Sequence, residues 1–259
     1  MLDAIYINSL PVFLLIFVRV LAFFVTMPLF SYRTIPMPFK IGLSFFVALI
    51  MFNTVDSSGL VFNEIYFFLL AKEILVGLLI GLIAFIIVSA IQVAGGFIDF
   101  QMGFAIANVM DPQTGAQSPM TGQFFYMISL LFLLTVDGHH IIIDGIVNSY
   151  HFIELDRFIP FENRSIADFI INSFNHMFLI AFQMSVPIVG CLFLVDVALG
   201  IIARTVPQMN VFVVGLPLKI LVSFLAIFVF LSLYMTLAQK LFESMFLAMR
   251  ELMQLFGGG

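Results

Sequence analysis

Tryptophan is absent from this chain, cysteine occurs once, and charged residues make up only 10% of its 259 positions. Each scarcity excludes something. A lone Cys191 leaves no disulfide framework and no thiolate metal cluster. Without tryptophan, an interfacial aromatic belt must be read from tyrosine, and Tyr6, Tyr32, Tyr66 and Tyr150 lie near the ends of apolar runs. A soluble domain carries about a quarter charged residues. Here 63% of residues are hydrophobic and 34 are phenylalanine, which would cover a soluble surface with apolar patches. The composition is that of an integral membrane protein, or of a subunit buried in a membrane complex. A net charge of −5 and the lack of basic runs argue against nucleic acid and against anchoring by anionic lipid.

Enzyme signatures are missing as well. No Walker-type glycine loop, H-E-x-x-H or G-x-S-x-G occurs, so no enzyme activity and no cofactor is predicted. His139-His140 followed by Asp144 could suggest a metal, but adjacent helical histidines point about 100° apart. Asp137-Gly138-His139-His140 is read instead as a polar turn at a membrane edge, with no metal. The N-terminal MLDAIYINSLP has an acid where a secretory signal carries positive charge, so the first apolar run is expected to be retained.

What is present is a series of apolar runs: 10–30, 41–52, 65–91, 124–136, 177–203 and 211–238. A simple spanning helix needs roughly 20 apolar residues. The second and fourth runs fall short, which suggests re-entrant or paired half-spans, or helices sheltered by partners. If every run spanned, Arg33/Lys40 and Lys240/Arg250 would fall on opposite sides, so the positive-inside bias yields no single topology. Between the fourth and fifth runs lies the main polar excursion, 137–176. In it Ser165-Ile-Ala-Asp168 resembles a capping box, and helical spacing predicts a helix from near Ile166. The length suits one compact domain over 1–259.

The stretch Gly95–Gln123 reads GGFIDFQMGFAIANVMDPQTGAQSPMTGQ and contains no Lys or Arg. Its glycines at 95, 96, 103, 115 and 122 and its prolines at 112 and 119 are predicted to prevent one uninterrupted helix. Phe97, Ile98, Phe100, Met102, Phe104 and Ile106 are nevertheless too apolar for a solvated loop. Irregular backbone at membrane depth is tolerated only inside protein or against a water-filled cavity. The stretch therefore points to a subunit lining or closing a passage. Gly77-Leu-Leu-Ile-Gly81 is a GxxxG match, of a kind common in apolar chains.

Charges inside the runs carry the remaining signal. A charged residue at mid-membrane costs about 2.5–3.5 kcal/mol on insertion scales. Arg19 is therefore expected to face protein or water and to pair, with Asp99 and Asp196 both open as its acid. Asp196 and Lys219 each stand near a helix breaker, Pro187 and Pro217. Local pairing or helix-end capping explains them better than a proton relay, which needs carboxylates strung along a path.

With those residues in view, the chain resembles the FliR family of flagellar export-gate proteins, which is itself similar to the T component of type III injectisomes. The resemblance rests on several blocks: Arg19 with Pro28 and the Arg33–Pro38 turn; GGFIDFQMGFAIANVMDPQTG from Gly95; and the Asp137-Gly-His pattern. It continues through Pro187, Asp196–Arg204 and PQMNVFVVGLPLK from Pro207.

The resemblance implies an all-α membrane protein of broken or re-entrant apolar helices. It implies a structural, channel-forming subunit of the inner-membrane export gate in the flagellar basal body. FliP- and FliQ-like subunits would be its partners, with FlhB- and FlhA-like proteins nearby, membrane lipid around it and unfolded flagellar subunits passing through. It also implies a channel plug, carried here to Asp111, Pro112, Gln113, Thr114, Gly115, Met120 and Gln123. Arg19, Asp99, Asp196, Arg204 and Lys219 are the intramembrane charges expected to serve assembly. The rival reading is a secondary transporter, which also uses broken helices and midplane charges.

Overall fold

The computed structural model describes residues 2–31, 35–55, 62–104, 119–156, 164–208 and 210–257. Among them are α-helices and no strand: α1 (Leu2–Thr26), α2 (Met37–Met51), α3 (Glu64–Met102), α4 (Met120–Thr135), α5 (Gly138–Phe152), α6 (Arg164–Thr205) and α7 (Val211–Gly257). Three of these are long and apolar enough to cross a membrane: Glu64–Met102, Ser165–Thr205 and Val213–Gly257. The chain is an all-α membrane protein. Helices α2 and α4, of 15 and 16 residues, stay shorter than a simple span, as their short apolar runs predict. Asp137, at φ 55°, separates α4 from α5 in the left-handed region.

Helices α3 and α7 run well past the C-terminal ends of their apolar runs. The glycines at 95 and 96 do not break α3, which continues to Met102 and ends at Gly103 with φ +89°. Glycine adopts that conformation without strain, so α3 ends at Gly103 rather than at Gly95. Helix α7 passes the end of its apolar run and reaches Gly257. There Met245, Met249, Leu252, Met253 and Phe256 are buried at spacings of one, three and four, an amphipathic continuation rather than a span. Helix α6 begins at Arg164 and includes Ser165, whose hydroxyl has no hydrogen-bond partner among the described residues, so the expected capping box does not form.

The chain divides into two compact units. Unit 1 comprises Met1–Ile87, Asp137–Phe174 and Glu243–Gly259; unit 2 comprises Val88–Val136 and Asn175–Phe242. In unit 1, α1 lies against α3 at the GxxxG match. A Cβ on Gly77 would overlap the Arg19 carbonyl oxygen, and one on Gly81 would overlap Thr26 Oγ1. Glycine is what lets these backbones approach. Leu15, Ile16, Phe23 and Phe24 of α1 and Ile80, Ile83 and Ile87 of α3 are buried in this unit. Phe13 meets Phe45 of α2 edge-on at 5.3 Å. The α7 tail lies along α5, where a Cβ on Gly145 would sit 3.4 Å from Met249 Cε.

Unit 2 has its own close crossing. A Cβ on Gly95 of α3 would overlap Gly122 of α4. Phe125 stacks on Tyr234 with ring centroids 4.1 Å apart, and Ser129 Oγ lies 3.3 Å from Tyr234 Oη. This hydrogen bond satisfies two polar groups that would otherwise be orphaned in the interior.

Candidate functional site: charges held inside an apolar chain

Unit 1 builds its charge site from α1, α3 and α5. Arg19 is fully buried. Its guanidinium grips Glu73 through two nitrogens: Nε bonds Oε2, and Nη2 donates to Oε1 at 3.0 Å. Nη1 donates to Ser149 Oγ at 3.1 Å and Nη2 to the Ile153 carbonyl at 3.0 Å. Tyr150 lies beneath, its ring centroid 3.9 Å from Cζ, while its own hydroxyl donates to the Ile16 carbonyl at 3.2 Å. Lys72 completes the cluster. Its Nζ lies 2.7 Å from Glu73 Oε1 and donates to the carbonyls of Glu154 at 2.8 Å and Leu155 at 3.0 Å.

The arrangement solves two problems together. Two cations share the Glu73 carboxylate, and Asp156 is a further acid acting on Lys72. The carbonyls just past the C-terminus of α5 carry partial negative charge and lack intrahelical donors. Arg19 and Lys72 supply those donors, and the carbonyls help to stabilise the two buried cations. A bidentate Arg–carboxylate pair and a cation–π contact add geometric specificity. The result fixes where the end of α5 sits against α1 and α3.

The expectation that Arg19 pairs with Asp99 or Asp196 is therefore corrected: its acid is Glu73. Adjacent opposite charges at Lys72-Glu73 inside an apolar run are the signal that could have found it. No local pattern connects them to a residue 54 positions away.

Asp99 and Asp196 serve separate ends in unit 2. Buried Asp99 accepts from the Thr121 backbone N–H at 3.3 Å to each oxygen, and from the Thr121 hydroxyl. Pro119, the N-cap of α4, makes no side-chain cap bond. Asp99 of α3 thus caps α4 from outside, placing an anion at a helix N-terminus. Asp196 forms an ion pair with Lys219 and accepts from Gln101 Nε2 at 2.8 Å, while Lys219 Nζ donates to the Gln101 carbonyl at 3.4 Å. This group joins α3, α6 and α7 and stays partly open, with Lys219 19% and Asp196 36% exposed.

Arg204 is exposed in the last turn of α6, where a cation complements the helix dipole. Of the proposed plug residues, Asp111, Pro112, Gln113, Thr114 and Gly115 lie outside the described residues. Met120 opens α4 and is 75% exposed; Gln123 follows in its first turn, its N–H donating to the Pro119 carbonyl at 2.8 Å. Asp137, His139 and His140 bring ligand atoms within 4.8 Å of one another at the start of α5, with Asp137 and His140 exposed. The His139 and His140 rings approach to 4.2 Å.

These charges fall within residues 10–245, which match the model of bacterial export proteins, family 1. The chain belongs to this family. The flagellar biosynthetic protein FliR of Bacillus subtilis (strain 168) is 54% identical over 253 residues, 97% of this chain and 98% of that protein. FliR of Escherichia coli (strain K12) is 27% identical, covering 88% of this chain and 87% of its own. Similarity extends to Yop proteins translocation protein T of Yersinia pestis, at 30% identity over 66% of each chain. The family places the chain among components of flagellar and type III export apparatus. Arg19, Glu73, Asp99, Asp196 and Lys219 all lie inside the family's matched region.

Proposed function

We propose that this chain is a structural, channel-forming subunit of the flagellar type III export gate. It would sit in the bacterial inner membrane at the flagellar basal body and pass unfolded flagellar subunits outward. The observation that carries this reading is the 54% identity to a flagellar FliR protein over 97% of the chain. FliP- and FliQ-like subunits are its direct companions on this reading, with FlhB- and FlhA-like proteins beside them. The chain contributes architecture rather than catalysis. Energy comes from the proton motive force and a separate ATPase.

Physical features of the helices support a life among other chains. The most apolar stretches of α6 and α7 are only 17% and 22% buried within the chain, against 61% for α3. Such surface needs lipid or other polypeptides as cover. The Asp196–Lys219 pair is partly open on these same helices, and a partly exposed ion pair is costly against hydrocarbon. Protein neighbours or a water-filled lumen on that side remove the cost. The segment Asp111–Gln123 is proposed to close the passage at rest.

Co-purification tests the reading. Gentle detergent extraction from cells carrying a tagged chain should recover FliP- and FliQ-like proteins in one stable complex. Recovery of a folded, lone chain that binds a small solute would replace the gate by a secondary transporter.

A further inference from the structure

Unit 1 contains a cavity of about 470 Å³ between α5 and the C-terminal part of α7. Asp144, Asn148 and His151 line it from α5, at spacings of four and three that put them on one helical face. Arg250, Leu247 and Met253 line it from α7. Asp144 and Arg250 carry opposite charges into the same cavity, yet no ion pair joins them, and neither makes a side-chain hydrogen bond among the described residues. Buried Met253 supplies an apolar wall.

Three features select the occupant. Small-molecule sites usually measure about 300–1,000 Å³, whereas a stable protein partner spreads over about 800 Å² of each surface. The cavity is of the first kind. Its two separated charges suit a ligand bearing both signs, and a simple anion would leave Asp144 facing like charge. Its polar rim and apolar wall, built where α7 has left its apolar run, suit an amphiphile at a membrane interface.

We propose that this cavity holds the headgroup of a zwitterionic aminophospholipid. Arg250 takes the phosphate, for which a guanidinium has matched donors. Asp144 and the Asn148 amide oxygen accept from the primary ammonium. The first acyl carbons lie on Met253 and Leu247. The site is built from residues of this chain alone and does not rest on the channel reading.

The test uses the intact detergent-solubilised complex, stripped of lipid and titrated with short-chain phosphatidylethanolamine, phosphatidylglycerol, phosphatidylcholine or inorganic phosphate, with binding read by native mass spectrometry. Phosphatidylethanolamine should bind best, at one site per chain. Arg250→Gln should weaken it about tenfold, and Asp144→Asn should erase its advantage over phosphatidylglycerol, each corresponding to roughly one decade in Kd. Leu247→Trp fills the rim from a position 61% exposed, and should block lipid while the complex stays assembled. Equal affinity in wild type and all three variants overturns the site. So does phosphatidylcholine binding as tightly as phosphatidylethanolamine. Displacement by equimolar inorganic phosphate makes it a soluble-anion site and overturns the lipid. A photo-crosslinker at position 247 that captures a subunit, with no lipid bound, makes it a protein-docking face and overturns it likewise.

Discussion

Arg19 and Glu73 are 54 positions apart in the chain and form a bidentate, fully buried ion pair whose remaining donors reach Ser149 and the end of α5. Lys72 shares the same carboxylate. This sharing makes the three charges unequal. Removing Arg19 leaves Glu73 still paired with Lys72, whereas neutralising Glu73 takes away the carboxylate that both cations share.

Glu73→Gln is accordingly expected to damage the protein more than Arg19→Leu. Breaking a buried pair by removing one partner costs about 3–5 kcal/mol, and Glu73→Gln should approach that cost. Thermal unfolding of the purified complex, or protease resistance of the chain within it, ranks the two variants. The reverse order would contradict the charge balance derived from the network.

Gly77 and Gly190 should respond oppositely to alanine. A Cβ at Gly77 overlaps the Arg19 carbonyl, while one at Gly190 meets nothing within 4 Å. Gly190→Ala should be neutral or stabilising by up to about 1 kcal/mol from helix propensity. Gly77→Ala should push α1 from α3 and lower the unfolding temperature. Equal shifts would show that the GxxxG contact is unimportant.

Asp99 caps α4 through Thr121. Loss of an N-cap costs about 0.5–2 kcal/mol, so Asp99→Ala should speed hydrogen exchange in the first turn of α4 while leaving the α5 amides unchanged. Asp99→Asn, which still accepts a hydrogen bond, should fall between. Unaltered exchange in α4 would remove the capping role.

Asp196→Lys should place two cations together beside Gln101 and abolish export. The exchange Asp196→Lys with Lys219→Asp restores the opposite charges and should recover swimming in soft agar at least in part. No recovery, with wild-type protein levels, would mean that one charge has a duty beyond this pairing.

Removing Asp111–Ser118, which leaves the Asp99-capped first turn of α4 in place, bears on the plug proposal. Ion leakage across the inner membrane should rise while FliP- and FliQ-like subunits still co-purify. An intact complex with ordinary leakage would separate this segment from closure.

How much was legible before folding varies by residue. The short runs at 41–52 and 124–136 correctly predicted helices too short to span, because apolar length is a local property. The helical spacing from Ile166 marked α6 for the same reason, whereas the capping box read at Ser165 does not form: Ser165 lies inside the helix and its hydroxyl has no hydrogen-bond partner among the described residues. Gly95–Gln123 is indeed not one uninterrupted helix, but the break comes at Gly103, and Gly95 and Gly96 lie inside α3 because glycine weakens a helix only modestly. Gly95 serves instead as a contact surface for Gly122, and a contact surface leaves no mark in its own neighbourhood.

The sequence by itself determined a membrane protein of broken apolar helices, and its ordered blocks carried the resemblance to the FliR family, since composition, run length and motif order belong to the chain alone. Only the tertiary structure decided that Arg19 answers Glu73, that Asp99 caps α4, and that Asp144 and Arg250 face one cavity without touching. The physical reason is that a charge in an apolar interior is satisfied by whatever donor or acceptor folding brings within about 3 Å. Distance along the chain says nothing about which group that will be.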